Sequence, residues 1–75
     1  MDWRKYIAVD PNICHGQACV IGTRIPVAVV LDNLAAHVDA DEILRSYPGL
    51  TPHAIDACIA YAADLAREQV VALPA

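Results

Sequence analysis

Gly22-Thr23-Arg24-Ile25-Pro26-Val27 is the stretch on which the fold of this 75-residue chain turns. The proline is followed at once by the apolar series Val27, Val30, Leu31 and Leu34. Proline suits a first helical turn, where its missing N–H would have had no partner. The spacing puts the four apolar residues on one face and Asp32 and Asn33 outside it, which predicts a helix from about Pro26 to Ala36. His37-Val38 is the break. Asp39 caps a second helix, and Glu42 three residues on completes a capping-box pattern. Ile43, Leu44 and Tyr47 form its inner face, with Asp41, Glu42 and Arg45 outward, and Pro48-Gly49 ends it. Thr51 is a third N-cap with Pro52 behind it. Ile55, Cys58, Ile59, Ala62, Leu65 and Ala66 then recur at three- and four-residue steps as an inner face, to about Glu68. Three short helices joined by tight turns are the layout of the helix-turn-helix group.

Upstream, Tyr6-Ile7-Ala8-Val9 reads as a strand closed by the turn Asp10-Pro11-Asn12, and Cys19-Val20-Ile21 as a second strand. The two form a hairpin with a long loop. Two strands alone are marginal, so they are expected to pair across a dimer or to lie on the helices. The chain thus divides into a β segment and loop (1–25), a three-helix domain (26–68) and an apolar, proline-ended tail (69–75).

A chain this short buries only roughly 60% of its unfolded surface. Yet 57% of its residues are hydrophobic and none is phenylalanine. A surplus of small apolar side chains points to a covered partner surface, and a homodimer is the simplest one. Nine acids against five bases give a net charge of −4. Phosphate neutralisation supplies most of the affinity of DNA-binding domains, so a lone monomer of this charge is a poor DNA binder. The charged start Met1-Asp2-Trp3-Arg4-Lys5 does not read as a signal peptide, and no apolar run approaches the roughly 20 residues of a membrane span. Three cysteines, an odd count, do not read as a disulfide framework, so a reduced, cytoplasmic protein is expected.

Three blocks of sequence carry a resemblance. They are Asp10-Pro11-x-Ile13-Cys14-x-Gly16, Cys19-x-x-Gly22-Thr23-Arg24-Ile25-Pro26-Val27, and Glu42-Ile43-Leu44-x-x-Tyr47-Pro48-x-Leu50-Thr51. Together they closely resemble the domain of unknown function 433 family, over roughly Tyr6 to Ala63. The resemblance implies a mainly α, homeodomain-like three-helix fold behind an N-terminal β segment. It also implies a VapB-like antitoxin, often paired with a PIN-like ribonuclease toxin. His15 and His37 stand where the family usually shows glycine, and Ala18 where it usually shows proline. Ile21 stands where relatives are often basic, and Ala54 where they are often acidic, which leaves Thr51 to cap the third helix alone.

Arg24 is the foremost candidate residue. A guanidinium at a helix entrance can grip phosphate or a base edge, or else pair with a carboxylate such as Asp10 and fix the loop. By analogy with helix-turn-helix docking, the third helix is the recognition helix, with His53, Asp56 and Ala57 outward near its start and Ala60, Asp64 and Arg67 further along. That face is poor in bases, and a core helix with a solvated face explains it equally well. If DNA is touched, His53 and the open N–H groups beside Thr51 are the best contacts there, with Arg24, Arg45, Arg4 and Lys5 on phosphate.

Cys14, His15 and Cys19 are half of a zinc motif whose second pair is missing, so no metal or other cofactor is expected, and Cys58 reads as a small core hydrophobe. No phosphate loop, nucleophile elbow or HExxH pattern occurs, which argues for a non-enzyme. A toxin-facing segment is expected in Leu65, Glu68, Val70, Val71 and Leu73, whose apolar side chains suit a groove, with acids such as Asp64 and Glu68 facing a basic nuclease. The leading expectation is therefore an antitoxin that neutralises a nuclease and regulates its own operon as a dimer on operator DNA. A stand-alone transcriptional regulator and a structural dimer module without a toxin are the competing readings.

Overall fold

The structure, a computed structural model, describes residues 1–68. After a 3₁₀ turn at Trp3–Lys5, the chain forms β1 (Ile7–Val9), a loop with a second 3₁₀ turn at Cys14–Gly16, and β2 (Ala18–Val20). Three helices follow: α1 (Val27–Ala35), α2 (Ala40–Ser46) and α3 (Pro52–Glu68). The strands pair antiparallel, with Ile7 opposite Val20, Ala8 opposite Cys19 and Val9 opposite Ala18. The other edge of β2 is used too: Val20 N–H donates to the Ile25 carbonyl at 3.1 Å, and Cys19 bridges to Pro26. The hairpin therefore leads directly into α1.

One core joins hairpin and helices. Ile7 and Val20 pack with Val27 and Val30 of α1, Ile43 of α2, Leu50, and Ala54, Ile55, Ala57 and Cys58 of α3. Val30, Ala57 and Cys58 are wholly enclosed. Leu31, Leu34, Leu44 and Tyr47 lie partly buried against this core, as the helical spacing predicts.

The inner face of α3 differs from the expected one. Ala54 and Ala57 are buried, whereas Ile59 is 48% exposed and Leu65 45% exposed. Small side chains let a helix approach its neighbours closely, and the turn at Ala54–Cys58, with Ala54, Ile55, Ala57 and Cys58 all buried, is where α3 enters the core. Periodicity weighted by large apolar residues rotates the face towards Ile59 for that reason.

Helix ends follow the capping chemistry. Asp39 Oδ1 accepts the Glu42 N–H at 2.9 Å, and Thr51 Oγ1 accepts the Ala54 N–H at 3.1 Å. Each satisfies one of the amides that a helix start leaves without a partner. α1 ends in a Schellman motif: Val38 N–H donates to Asn33 O and His37 N–H to Leu34 O, both at 3.0 Å. His37 holds the left-handed position of that motif, φ 63°, where glycine is the usual occupant. His15 is likewise left-handed, φ 55°. Both histidines thus sit where a Cβ is disfavoured.

The cysteines correct the expectation of a fully reduced chain. Cys14 and Cys19 form a disulfide, their Cα atoms 6.7 Å apart, while Cys58 is free and buried. The left-handed turn through Cys14–Gly16 folds the chain back on itself, and an odd cysteine count says nothing about such local pairing. Among the described residues, no helix is long and apolar enough to cross a membrane.

Candidate functional site

The turn that carries Arg24 is built almost entirely by its neighbours' backbone and hydroxyl groups. Thr23 N–H donates to the Val20 carbonyl at 3.1 Å, closing a turn in which Gly22 has φ 81°. That is the position a type II turn reserves for glycine. The Thr23 hydroxyl donates to the same carbonyl at 2.8 Å, and its oxygen accepts the Ile25 N–H at 3.1 Å. With Val20 bonded to Ile25 and Pro26 N-capping α1, the segment from Val20 to Pro26 is a closed clasp. Arg24 is exposed at its tip.

Of the two readings of Arg24, the carboxylate pair is not the one observed. Asp10 is engaged in its own turn, accepting the Asn12 N–H at 2.8 Å through Oδ1 and the Ile13 N–H at 3.0 Å through its carbonyl. Among the described residues, the one ion pair joins Arg67 to Asp64. The guanidinium of Arg24 faces water.

This clasp lies against the turn between α2 and α3. A Cβ added at Gly49 would come within 3.2 Å of Thr23 Cγ2, so the two turns meet closely there and a larger residue would need Thr23 to give slightly. Arg24 on the clasp, Arg45 in the last turn of α2, Thr51 at the start of α3 and His53 in its first turn are all exposed, on the elements that flank this junction. Thr51 spends its hydroxyl oxygen on the cap, leaving backbone amides at the helix start as its contribution to any anion.

Arg4 and Lys5 do not join this group directly. Their 3₁₀ turn runs along α3: Tyr6 lies by His53, ring centroids 6.4 Å apart, and Trp3 meets Tyr61 edge to face at 4.9 Å. The Arg4 guanidinium stacks over the Trp3 ring at 4.5 Å. Trp3 Nε1–H donates to Asp64, whose other oxygen accepts from Arg67. These bonds hold the Asp64 carboxyl below the usual carboxylate range, the Trp3 bond contributing most and Arg67 next. Asp64 was read from sequence as an outward acid for a partner. It is half-buried and committed to anchoring the N-terminus, a role that needs contact across 61 positions and leaves no periodic trace.

A second feature shares Tyr61 with this N-terminal anchor. Val27, Ala28 and Leu31 of α1, Tyr61 and Leu65 of α3, and Gln17-Ala18 line an apolar groove of about 310 Å³. Leu65 therefore borders a concave surface that the sequence could not show. Glu68 closes α3, and Val70, Val71 and Leu73 lie outside the described residues. Near its start the outward face of α3 presents His53, Asp56 and Ile59, none of them the Arg, Lys, Asn or Gln that reads base edges, and the helix's one arginine, Arg67 in the last turn, is paired with Asp64.

Residues 7–62 match the model of the family described as protein of unknown function (DUF433). The chain belongs to this DUF433 family. A crystal structure of a DUF433 member protein from Anabaena variabilis is similar to it, with a TM-score of 0.75 and 32% identity. The likeness covers 83% of this chain and 61% of that one, so the chain spans less than two thirds of that relative's length. No curated protein matches it. The family match takes in the hairpin, the Arg24 clasp and most of α3.

Proposed function

We propose that this DUF433 protein is a non-enzymatic, VapB-like antitoxin with two working ends. One end, at the junction of Arg24 with the α2–α3 turn, binds operator DNA. The other, the apolar groove beside Leu65, takes a PIN-like ribonuclease toxin. The observation that carries the reading is Arg24, an exposed guanidinium without an ion-pair partner among the described residues, held by a hydrogen-bonded clasp against the start of α3. The clasp fixes the backbone that carries Arg24, and the planar fork of a guanidinium suits bidentate contact with phosphate.

The helical region is read as a homeodomain-like helix-turn-helix in which α3 faces the DNA. Its poverty in base-reading side chains makes the contact chiefly one of phosphate positioning. A chain of net charge −4 then needs a homodimer, which doubles Arg24, Arg45, Arg4 and Lys5 and gives a two-fold site with half-sites about one helical turn apart. At the other end, Leu65 at 45% exposure beside a groove is the kind of surface that apolar side chains of a partner fill. Such a protein works in the cytoplasm, beside its toxin.

The test is co-expression with the neighbouring reading frame, followed by purification and gel-shift titration on the operon's own promoter. A stable complex that prefers this fragment over random DNA supports both ends. Leu65→Asp should release the toxin and leave the fold intact by circular dichroism. A complex unaffected by Leu65→Asp places the toxin elsewhere, and equal affinity for random DNA removes the regulatory half.

A further inference from the structure

The loop between the strands holds three successive left-handed residues, Cys14, His15 and Gly16, with φ of 53°, 55° and 80°. Two of the three carry a Cβ that disfavours this region, so an unrestrained loop would abandon it. Three ties keep it there: Gly16 N–H to Ile13 O at 3.1 Å, Gln17 N–H to Cys14 O at 3.0 Å, and the Cys14–Cys19 bond. The two sulfurs sit in unlike places. Cys14 is half-buried on the loop, whereas Cys19 is buried in β2, opposite Ala8 and bridged to Pro26. Ile13 and Cys19 also line a cavity of about 120 Å³ together with Gly22 and Thr23 of the clasp that presents Arg24. Loop, disulfide and clasp thus share one small space.

We propose that Cys14 and Cys19 are a reversible thiol–disulfide latch, oxidised by a small-molecule disulfide such as glutathione disulfide, that fixes the Ile13–Ala18 loop and through the shared cavity the Arg24 clasp. In the oxidising direction the accessible Cys14 thiolate attacks one sulfur of glutathione disulfide, forming a mixed disulfide and expelling a glutathione thiolate. The Cys19 thiolate then attacks Cys14 Sγ and expels the second. The two protein thiol protons end on the two glutathiones, so the protein loses two electrons and the small disulfide gains them. Reduction runs backwards, an external thiolate attacking Cys14 Sγ because Cys19 is shielded. Cys58 takes no part: it is wholly enclosed in the helical core, closed to an external disulfide, and is free while Cys14 and Cys19 are bonded to each other. Disulfides that occur in reducing compartments are usually transient or redox-sensing, which is the behaviour a latch needs. The reducing compartment rests on the cytoplasmic reading proposed above, whereas the thiol titration that tests the latch needs neither DNA nor toxin.

The experiment equilibrates the full chain in glutathione buffers from reduced to oxidised, approached from both directions. Samples are quenched in acid, unfolded, labelled with N-ethylmaleimide and weighed intact. Reduced protein should take three labels, one for each cysteine, and oxidised protein one, on Cys58 alone, with the same midpoint from either side. In amide-resolved NMR spectra of the two states, residues 13–18 and 21–25 should shift while α2 stays in place. Three labels in excess glutathione disulfide would overturn the latch, as would glutathione retained on Cys14 or a bond to Cys58. A pair that forms without moving residues 21–25 would overturn the coupling to Arg24. The C14S/C19S chain should take one label in every buffer and show the reduced spectrum. If that variant is unfolded, the titration of the unaltered chain still decides.

Discussion

The two ends of α3 are held by different kinds of contact. At its start, small buried side chains (Ala54, Ile55, Ala57) and the Thr51 cap hold it, and the turn before it meets the clasp, itself closed by the Thr23 hydroxyl bonds, at Gly49. Towards its other end, long side chains do the work, with Trp3 on Tyr61, Trp3 on Asp64, and Arg67 on Asp64. Backbone bonds define geometry to a fraction of an ångström and depend little on salt or pH. A surface made from aromatic and ionised side chains adapts to what it meets. The first kind of construction suits the presentation of a fixed charge, the second the reception of a partner's apolar side chains.

The largest expected effect breaks the second end alone. Trp3→Ala removes the edge-to-face contact with Tyr61 and the Asp64 hydrogen bond from a half-buried site, and should cost about 2 kcal/mol. Urea unfolding monitored by circular dichroism reads that loss, while the amide signals of residues 20–26 stay where they were. Signals that move together at both ends would show one cooperative device in place of two. Thr51→Ala attacks the first end and should cost about 1 kcal/mol, since one amide at the helix start loses its acceptor. An unchanged unfolding midpoint for that variant argues against a working cap.

Acid sharpens the contrast further. Asp64 is held below the usual carboxylate range, so it binds its proton less readily in the folded chain than in the unfolded one. Its contribution is present above the unfolded value of about 3.9 and disappears as pH falls through the lower folded value. Trp3 is the single tryptophan, so its fluorescence should report release of the N-terminal turn in that range. Asp64→Asn should flatten the response. A transition of equal size in Asp64→Asn would assign it to another carboxylate.

Much of this organisation was legible in the chain itself. Asp39 and Thr51 announce helix starts through chemistry that acts within four residues, and both cap where expected, whereas Pro26 is an extended N-cap and α1 begins one residue later, at Val27. Gly22 and Thr23 likewise reveal a turn. What stayed hidden acts over longer range or through small residues. Ala54 and Ala57 carry no strong signal of inside or outside, so the face of α3 was rotated towards Ile59 and Leu65. The groove at Leu65 needs α1 and α3 side by side, and the Trp3–Asp64 bond needs the chain's start laid along its last helix. The Cys14–Cys19 pair was masked by an odd cysteine count.

The two histidines in left-handed positions give the smallest expected effect, of opposite sign. His37→Gly and His15→Gly each relieve a Cβ clash and give back part of the gain as glycine's entropy, for a net stabilisation of about 0.5 kcal/mol. A higher melting temperature for both variants checks it, and a lower one would mean that the imidazoles make contacts worth more than the strain.

The central claim is that the first end presents a charge to phosphate. It is tested most directly by the salt dependence of promoter binding for Arg24→Ala beside the unaltered chain. Each phosphate contact contributes about 0.9 to the slope of log affinity against log salt. A two-fold dimer loses Arg24 twice, so the slope should flatten by about 1.8 with the fold preserved. A variant that binds with the same slope as the unaltered chain would contradict the account.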